Sequence, residues 1–224
     1  QHSQSLESWF AHIPGLKVVM PSNSYDAKGL LISSVEDDNP VIFIEHRWLH
    51  NTFDNVPSEG YRVPIGKARL ARKGSDVTIV SHSYMVLESL RCADVLAEYG
   101  ISVEVVDLRS IRPLDSETVL NSVSKTKRLV VADNGWMHFG VSSEIISIVT
   151  ENIFDKLICA PVRIGMNDSP SPSTRALANH YYPRAKNIAK VICEMLDKTV
   201  DLNILFPQGD IPLDVPDPSF RGPF

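Results

Sequence analysis

The sequence predicts an α/β fold: a three-layer αβα unit on a mostly parallel sheet, preceded by a smaller, partial α/β unit. Three observations carry this. Short runs dominated by Val, Ile and Leu at 77–80, 103–106 and 129–132 read as strands. Segments of helical period lie between them, as parallel strands need crossover connections. Turn-forming residues such as Gly100 and the Pro113 region then punctuate each unit. The resulting division is 1–50 for the partial unit, 51–74 for a connector, 75–200 for the three-layer unit and 201–224 for an extended tail.

Taken in order, a polar loop at residues 1–5 leads into a helix-like start, and Pro14-Gly15 marks a turn. Residues 16–20, bounded by Pro21, read as a short buried strand. Residues 26–35 place Ala27, Leu30, Leu31 and Ser34 on one helical face, with Ser24 as the expected N-cap. Asp37 to Pro40 breaks that helix ahead of a strand at 41–44. Strand, helix, strand in so short a span is the βαβ pattern. Two strands cannot form a sheet covered on both faces, so more chain is expected on the N-terminal side. Residues 46–74 mix His, Arg, Pro and Gly without helical period and read as a surface connector, with short strands around Arg62 to Leu70.

From Gly74 the rhythm is regular. The strand at 77–80 leads to a helix aligning Val86, Leu90, Ala93 and Ala97, with Gly100 beyond its end. The strand at 103–106 leads to a helix capped by Asp115 and carrying Val119, Leu120 and Val123. Pro113 stops the extended segment before that cap. The strand at 129–132 leads to a helix with Ile145, Ile146, Val149 and Ile153. A weaker strand at 162–164 and a helix at 184–198 with Ile188, Ile192 and Met195 complete the unit. In the Pro- and Asp-rich tail, Phe206, Leu213, Phe220 and Phe224 suggest an arm packed on a surface.

Composition excludes several classes. The 224 residues carry 22 Lys+Arg and 27 Asp+Glu, a net charge of −5 without any basic cluster, so nucleic acid and membrane surfaces are poor partner expectations. No apolar run approaches the ~20 residues of a membrane span. Cys92, Cys159 and Cys193 show no zinc-type spacing and read as reduced thiols of a cytosol-like compartment. No glycine-rich phosphate cradle, GxSxG elbow or HExxH is present.

Histidine is the remaining chemical signal. His82 follows a parallel strand, at the edge where open α/β sheets bind ligands, and reads either as a ligand-contacting group or as a hydrogen-bonded loop residue. His2 lies in a polar loop and reads from composition as a surface residue. Residues 133–140, with Trp136, His138 and Phe139, occupy the same kind of edge. No convergent acid or nucleophile accompanies them in the sequence, so an interface is the favoured reading over a cleft.

The stretches Gln1-His2-Ser3-Gln4-Ser5, Phe10 to Val19, Asp26 to Leu31 and Asp38 to Val41 together resemble the pyrimidine-binding domain of the β subunit of E1. E1 is the thiamine-diphosphate-dependent component of 2-oxo acid dehydrogenase complexes. The run from Ala97 to Asp115 is similar to the transketolase-type C-terminal domain that follows it in that family. The resemblance implies an α₂β₂ assembly with an E1 α subunit and a second β subunit. Such an assembly decarboxylates a 2-oxo acid on thiamine diphosphate and magnesium, and passes the acyl group to the lipoyl arm of E2. It further implies docking of the E2 subunit-binding domain on the C-terminal domain, and a cytoplasmic or mitochondrial-matrix location.

By the same resemblance His2 matches the histidine that lies over the substrate and carries protons. The family's cofactor-activating glutamate lies upstream of the QHS motif, so the isolated chain is expected to be inactive. A structural potassium ion is implied at the loop of Ser34, Val35, Asp37 and Asn39, partly through backbone carbonyls, although a capped helix-to-strand turn explains the same letters. Two other readings stay open: a subunit-interface and E2-docking module, and a sugar-phosphate enzyme of the transketolase or deoxyxylulose-phosphate synthase type. A nicotinamide or redox protein is more distant, lacking a glycine fingerprint.

Overall fold

Alternation along buried strands decides which layer each side chain joins, and the computed structural model, which describes residues 3–207 and 213–216, shows that alternation strand by strand. In chain order the first elements are α1 (Glu7–Ala11), β1 (Lys17–Val19), α2 (Ser24–Val35), β2 (Val41–Phe43), β3 (Arg69–Arg72), β4 (Val77–Ser81) and α3 (Tyr84–Ala97). They are followed by β5 (Val103–Asp107), β6 (Ser110–Arg112), α4 (Ser116–Thr126), β7 (Leu129–Trp136), α5 (Val141–Ile153), β8 (Val162–Met166), α6 (Arg175–Ala178), α7 (Ala185–Met195) and α8 (Leu202–Leu205).

The larger sheet has the order β3-β5-β4-β7-β8. Its four strands β5, β4, β7 and β8 are parallel, and β3 joins the edge antiparallel to β5. Val77, Ile79, Val103, Val105, Val130 and Ala132 pack with α3 and α7 on one side. Val80, Val106, Leu129 and Val131 pack with α4 and α5 on the other. The three inner parallel strands β5, β4 and β7 are thereby buried on both faces, while the edge strand β8 is only partly buried.

The smaller sheet has the order β2-β1-β6. β1 and β2 pair in parallel, as the βαβ reading expected. β6, absent from the sequence reading, adds antiparallel to β1 and comes from the chain after β5, so the chain leaves the larger sheet for the smaller one and returns to it through α4. Val18 and Met20 belong to the same core as Val80 and Val131.

Three local expectations are corrected. The N-cap of α2 is Asn23, whose side chain accepts from the Asp26 N–H, rather than Ser24. The buried face of α2 is Asp26, Gly29 and Leu30, while Leu31 is 50% exposed, because the helix packs on Val63 and Tyr61 of the connector. The tail is not extended throughout: Asp201 accepts from the N–H groups of Asn203 and Ile204 and opens the short α8, with Phe206 packed on the larger core. Residues 213–216 lie under Arg184, whose guanidinium donates to the carbonyls of Leu213, Val215 and Pro216. Phe220 and Phe224 fall outside the described residues. No described helix is long and apolar enough to cross a membrane.

Candidate active-site edge

The carboxyl ends of β4 and β7 gather deeply buried ionisable side chains. His82 directly follows β4, Asp133 sits within β7, and Glu7 reaches them from the first turn of α1. Their side chains are at most 1% exposed. His82 Nε2 lies 3.6 Å from Glu7 Oε1 and 3.7 Å from Asp133 Oδ1. Among the described residues, neither ring nitrogen of His82 has a hydrogen-bond partner. Backbone groups orient the carboxylate opposite: Gly135 N–H donates to Asp133 Oδ1 and Ser142 N–H to Oδ2. The Ser5 hydroxyl donates to Glu7 Oε2 at 2.7 Å.

Charge follows from this arrangement. Burial opposes an imidazolium at His82, but the attraction of Glu7 and Asp133 outweighs it and raises the histidine above its ordinary value. Burial also works against ionisation of Glu7, yet His82 and Ser5 hold that carboxyl below the usual range. The Asp133 carboxyl is pushed up by burial, with His82 offsetting part of the effect.

Sequence reasoning placed His82 at this edge but offered a ligand contact or a loop hydrogen bond, and the side chain makes no hydrogen bond. It also expected no convergent acid near residues 133–140. That is corrected: Asp133 converges with His82 and with Glu7, which looked like any acid in a helical first turn. Nothing local marks Glu7, since its partners lie 75 or more residues away along the chain.

His2, expected to be the proton carrier, lies outside the described residues. The chain just after it is fixed: Ser171 Oγ, in the loop after β8, donates to Ser3 O at 3.3 Å, and Glu7 is anchored five residues after His2. Residues 3–7 therefore run along the carboxyl edge of the larger sheet.

The expected cation loop lies at the other end of α2. Ser34 Oγ donates to Leu30 O, and Val35 is 79% exposed. Asp37 pairs with Lys17 and accepts from the backbone and side-chain N–H groups of Asn39, which together hold its carboxyl at about 2. Both carboxylate oxygens of Asp37 thus already have partners, one on β1 and one within the loop.

The aromatic segment after Asp133 divides. Trp136 turns inward, its indole N–H donating to Ser169 O and Tyr181 Oη. Phe139 stands 96% exposed at the rim of an open groove of about 630 Å³ between α1, residues 111–114 and α5.

The comparisons with known proteins agree with this geometry. The family model described as "Transketolase, C-terminal domain" matches residues 66–188. The chain belongs to the transketolase C-terminal domain family. A second model, "Transketolase, pyrimidine binding domain", matches residues 1–51 of this transketolase-family chain. It is 43% identical over 192 residues to the mitochondrial pyruvate dehydrogenase E1 component subunit beta of Dictyostelium discoideum, covering 84% of this chain and 54% of that protein. Against the Caenorhabditis elegans subunit it is 44% identical over 202 residues, covering 88% and 57%. The human subunit gives 41% identity over 88% of this chain and 56% of that protein. The chain thus spans a little over half the length of these relatives. Among solved structures, a split gene transketolase described as an inactive beta4 tetramer superposes with a TM-score of 0.72 at 25% identity, over 85% of this chain and 61% of that one.

Proposed function

We propose that this chain acts as part of the β subunit of a 2-oxo acid dehydrogenase E1, in an assembly that decarboxylates a 2-oxo acid and acylates the lipoyl group of E2. The observation that supports this most is the 41–44% identity to pyruvate dehydrogenase E1 β subunits over 84–88% of the chain. Pyruvate is accordingly the first substrate to test. A mitochondrial-matrix location fits the mitochondrial names of those relatives.

Thiamine diphosphate is the cofactor this family reading implies. Glu7 and Asp133 are the buried carboxylates at the ligand-prone edge, and both are sealed from solvent by His82, Ser5 and the residues around Gly135 and Ser142. A coenzyme ring cannot lie against them, so the described residues do not by themselves fit the cofactor. The cofactor and its magnesium would be held by surfaces of an E1 α subunit and by further β residues. What this chain contributes on this reading is His2, to carry a proton to or from the substrate. It also contributes the contacts with a second β subunit and with the E2 subunit-binding domain. A structural potassium ion would sit on the carbonyls around Ser34, Val35, Asp37 and Asn39.

The isolated chain, given thiamine diphosphate, magnesium and pyruvate, is expected to release no carbon dioxide, whereas the assembled α and β enzyme containing it should do so. Decarboxylation by the isolated chain, or none by the assembly, contradicts this reading. The transketolase neighbour keeps a sugar-phosphate reaction as second reading, and turnover of ketose phosphates in place of 2-oxo acids would select it.

A further inference from the structure

The unpartnered histidine between two carboxylates calls for an occupant. We propose that Glu7, His82 and Asp133 form a buried site for one divalent metal ion of the zinc type, which ties α1 to the carboxyl edge of the sheet. The proposal stands independently of the E1 reading.

Geometry carries it first. One oxygen from each carboxylate and one imidazole nitrogen all lie within 4.8 Å of one another. The separations of 3.6 Å and 3.7 Å from His82 Nε2 are too long for hydrogen bonds. They suit ligands around an ion: a tetrahedral zinc with bonds of about 2.1 Å sets its ligand atoms about 3.4 Å apart. The contact that fails as a hydrogen bond is thus close to the edge of a coordination polyhedron.

Satisfaction and charge carry it further. Buried polar atoms normally have partners, yet both ring nitrogens of His82 and the hydroxyls of Ser83 and Ser142 have none among the described residues. Ser83 adjoins His82, and Ser142 donates its N–H to Asp133. An imidazolium would compensate only one of two buried carboxylates, whereas a divalent ion on neutral His82 balances both. The remaining carboxylate oxygens are already oriented by Ser142 and Ser5, as metal ligands commonly are. Residue 135 is glycine where a Cβ would come 3.1 Å from Glu7 Oε1 and 3.4 Å from Asp133 Oδ1. Calcium, with six to eight oxygens, and magnesium, with its retained waters, suit so closed a nitrogen-containing set poorly.

The test uses the full chain, stripped with chelator and then loaded with zinc or cobalt alone. Wild type is expected to keep one zinc per chain through gel filtration. Glu7→Gln, nearly equal in volume, should bind more than about 100-fold more weakly, beyond the loss typical of an outer hydrogen-bonding partner. Circular dichroism establishes that the variant is folded. Should Glu7→Gln fail to fold, the cobalt spectrum of wild type decides: tetrahedral visible bands without a sulfur-to-metal charge-transfer band place the ion on nitrogen and oxygen ligands. No retained zinc, unchanged affinity in folded Glu7→Gln, or a thiolate band from Cys92, Cys159 or Cys193 would overturn the proposal.

Discussion

Arg109 Nη2 lies 2.6 Å from Asp26 Oδ1, and this ion pair joins the turn after β5 to the first turn of α2. Arg109 holds a left-handed backbone, φ +58°, with its N–H donated to Asp107 Oδ1 and its carbonyl accepting from Met20 N–H. Arg69 bridges Asp26 and Asp107 at 3.4 Å and 3.2 Å, and Ser22 donates to Asp107 at 2.6 Å. Two carboxylates and two guanidiniums therefore balance at the seam between the smaller and larger sheets.

Removing one member leaves the others uncompensated. Asp26 is 1% exposed and Arg109 13% exposed at the side chain, so Asp26→Ala should cost about 3 kcal/mol, the lower range for breaking a buried pair. Urea unfolding checks this; a loss below ~1 kcal/mol would reduce the network to surface ion pairing.

Gly29 measures how tightly α2 seats on the connector. A Cβ there would meet Val63 Cγ2 at 2.5 Å and Tyr61 Cε2 at 2.9 Å. Alanine in a helix gains about 1 kcal/mol of propensity over glycine, whereas overpacking costs about 1–3 kcal/mol. With Val63 only 3% exposed, packing should win, and Gly29→Ala should lose about 1 kcal/mol in urea unfolding. A stabilised variant would show that the connector yields.

His46 predicts acid sensitivity. Burial lowers its pKa to about 4, with Glu7 opposing and His50 and His82 adding to the effect. Its Nδ1 accepts from Trp48 N–H, and its ring stacks on Tyr84, near Arg184. The folded value is below the unfolded one of about 6.5, so the unfolded chain binds the extra proton between these limits. Stability from this group is full above pH ~6.5 and falls as the pH drops toward 4, by up to about 3 kcal/mol. His46→Gln should flatten that part of the stability profile measured by urea unfolding. A variant profile parallel to wild type would remove the assignment.

The larger unit was readable because strands buried on both faces are rich in Val, Ile and Leu and because caps are local. Asp115, expected as an N-cap, does accept from Thr118 N–H. Its second bond, from Ala68 N–H, spans 47 residues and left no local trace. β6 was missed because three residues, one of them Arg112, give no periodic signal; their strand exists only because β1 lies alongside. The cap of α2 was misplaced by one residue because Asn23 and Ser24 are equally good cap residues and only the backbone geometry separates them. The candidate site was half legible. Strand ends point to His82 and to residues 133–140, but the convergence of Glu7 is a product of tertiary packing.

The most direct test of the functional account is the rate of 2-oxo acid decarboxylation by the assembled α and β enzyme carrying His2→Ala. If the segment before Ser3 delivers a proton carrier to the substrate, the rate should fall by about 100-fold or more, with assembly size and thiamine diphosphate binding unchanged. An undiminished rate in a correctly assembled variant would contradict the account.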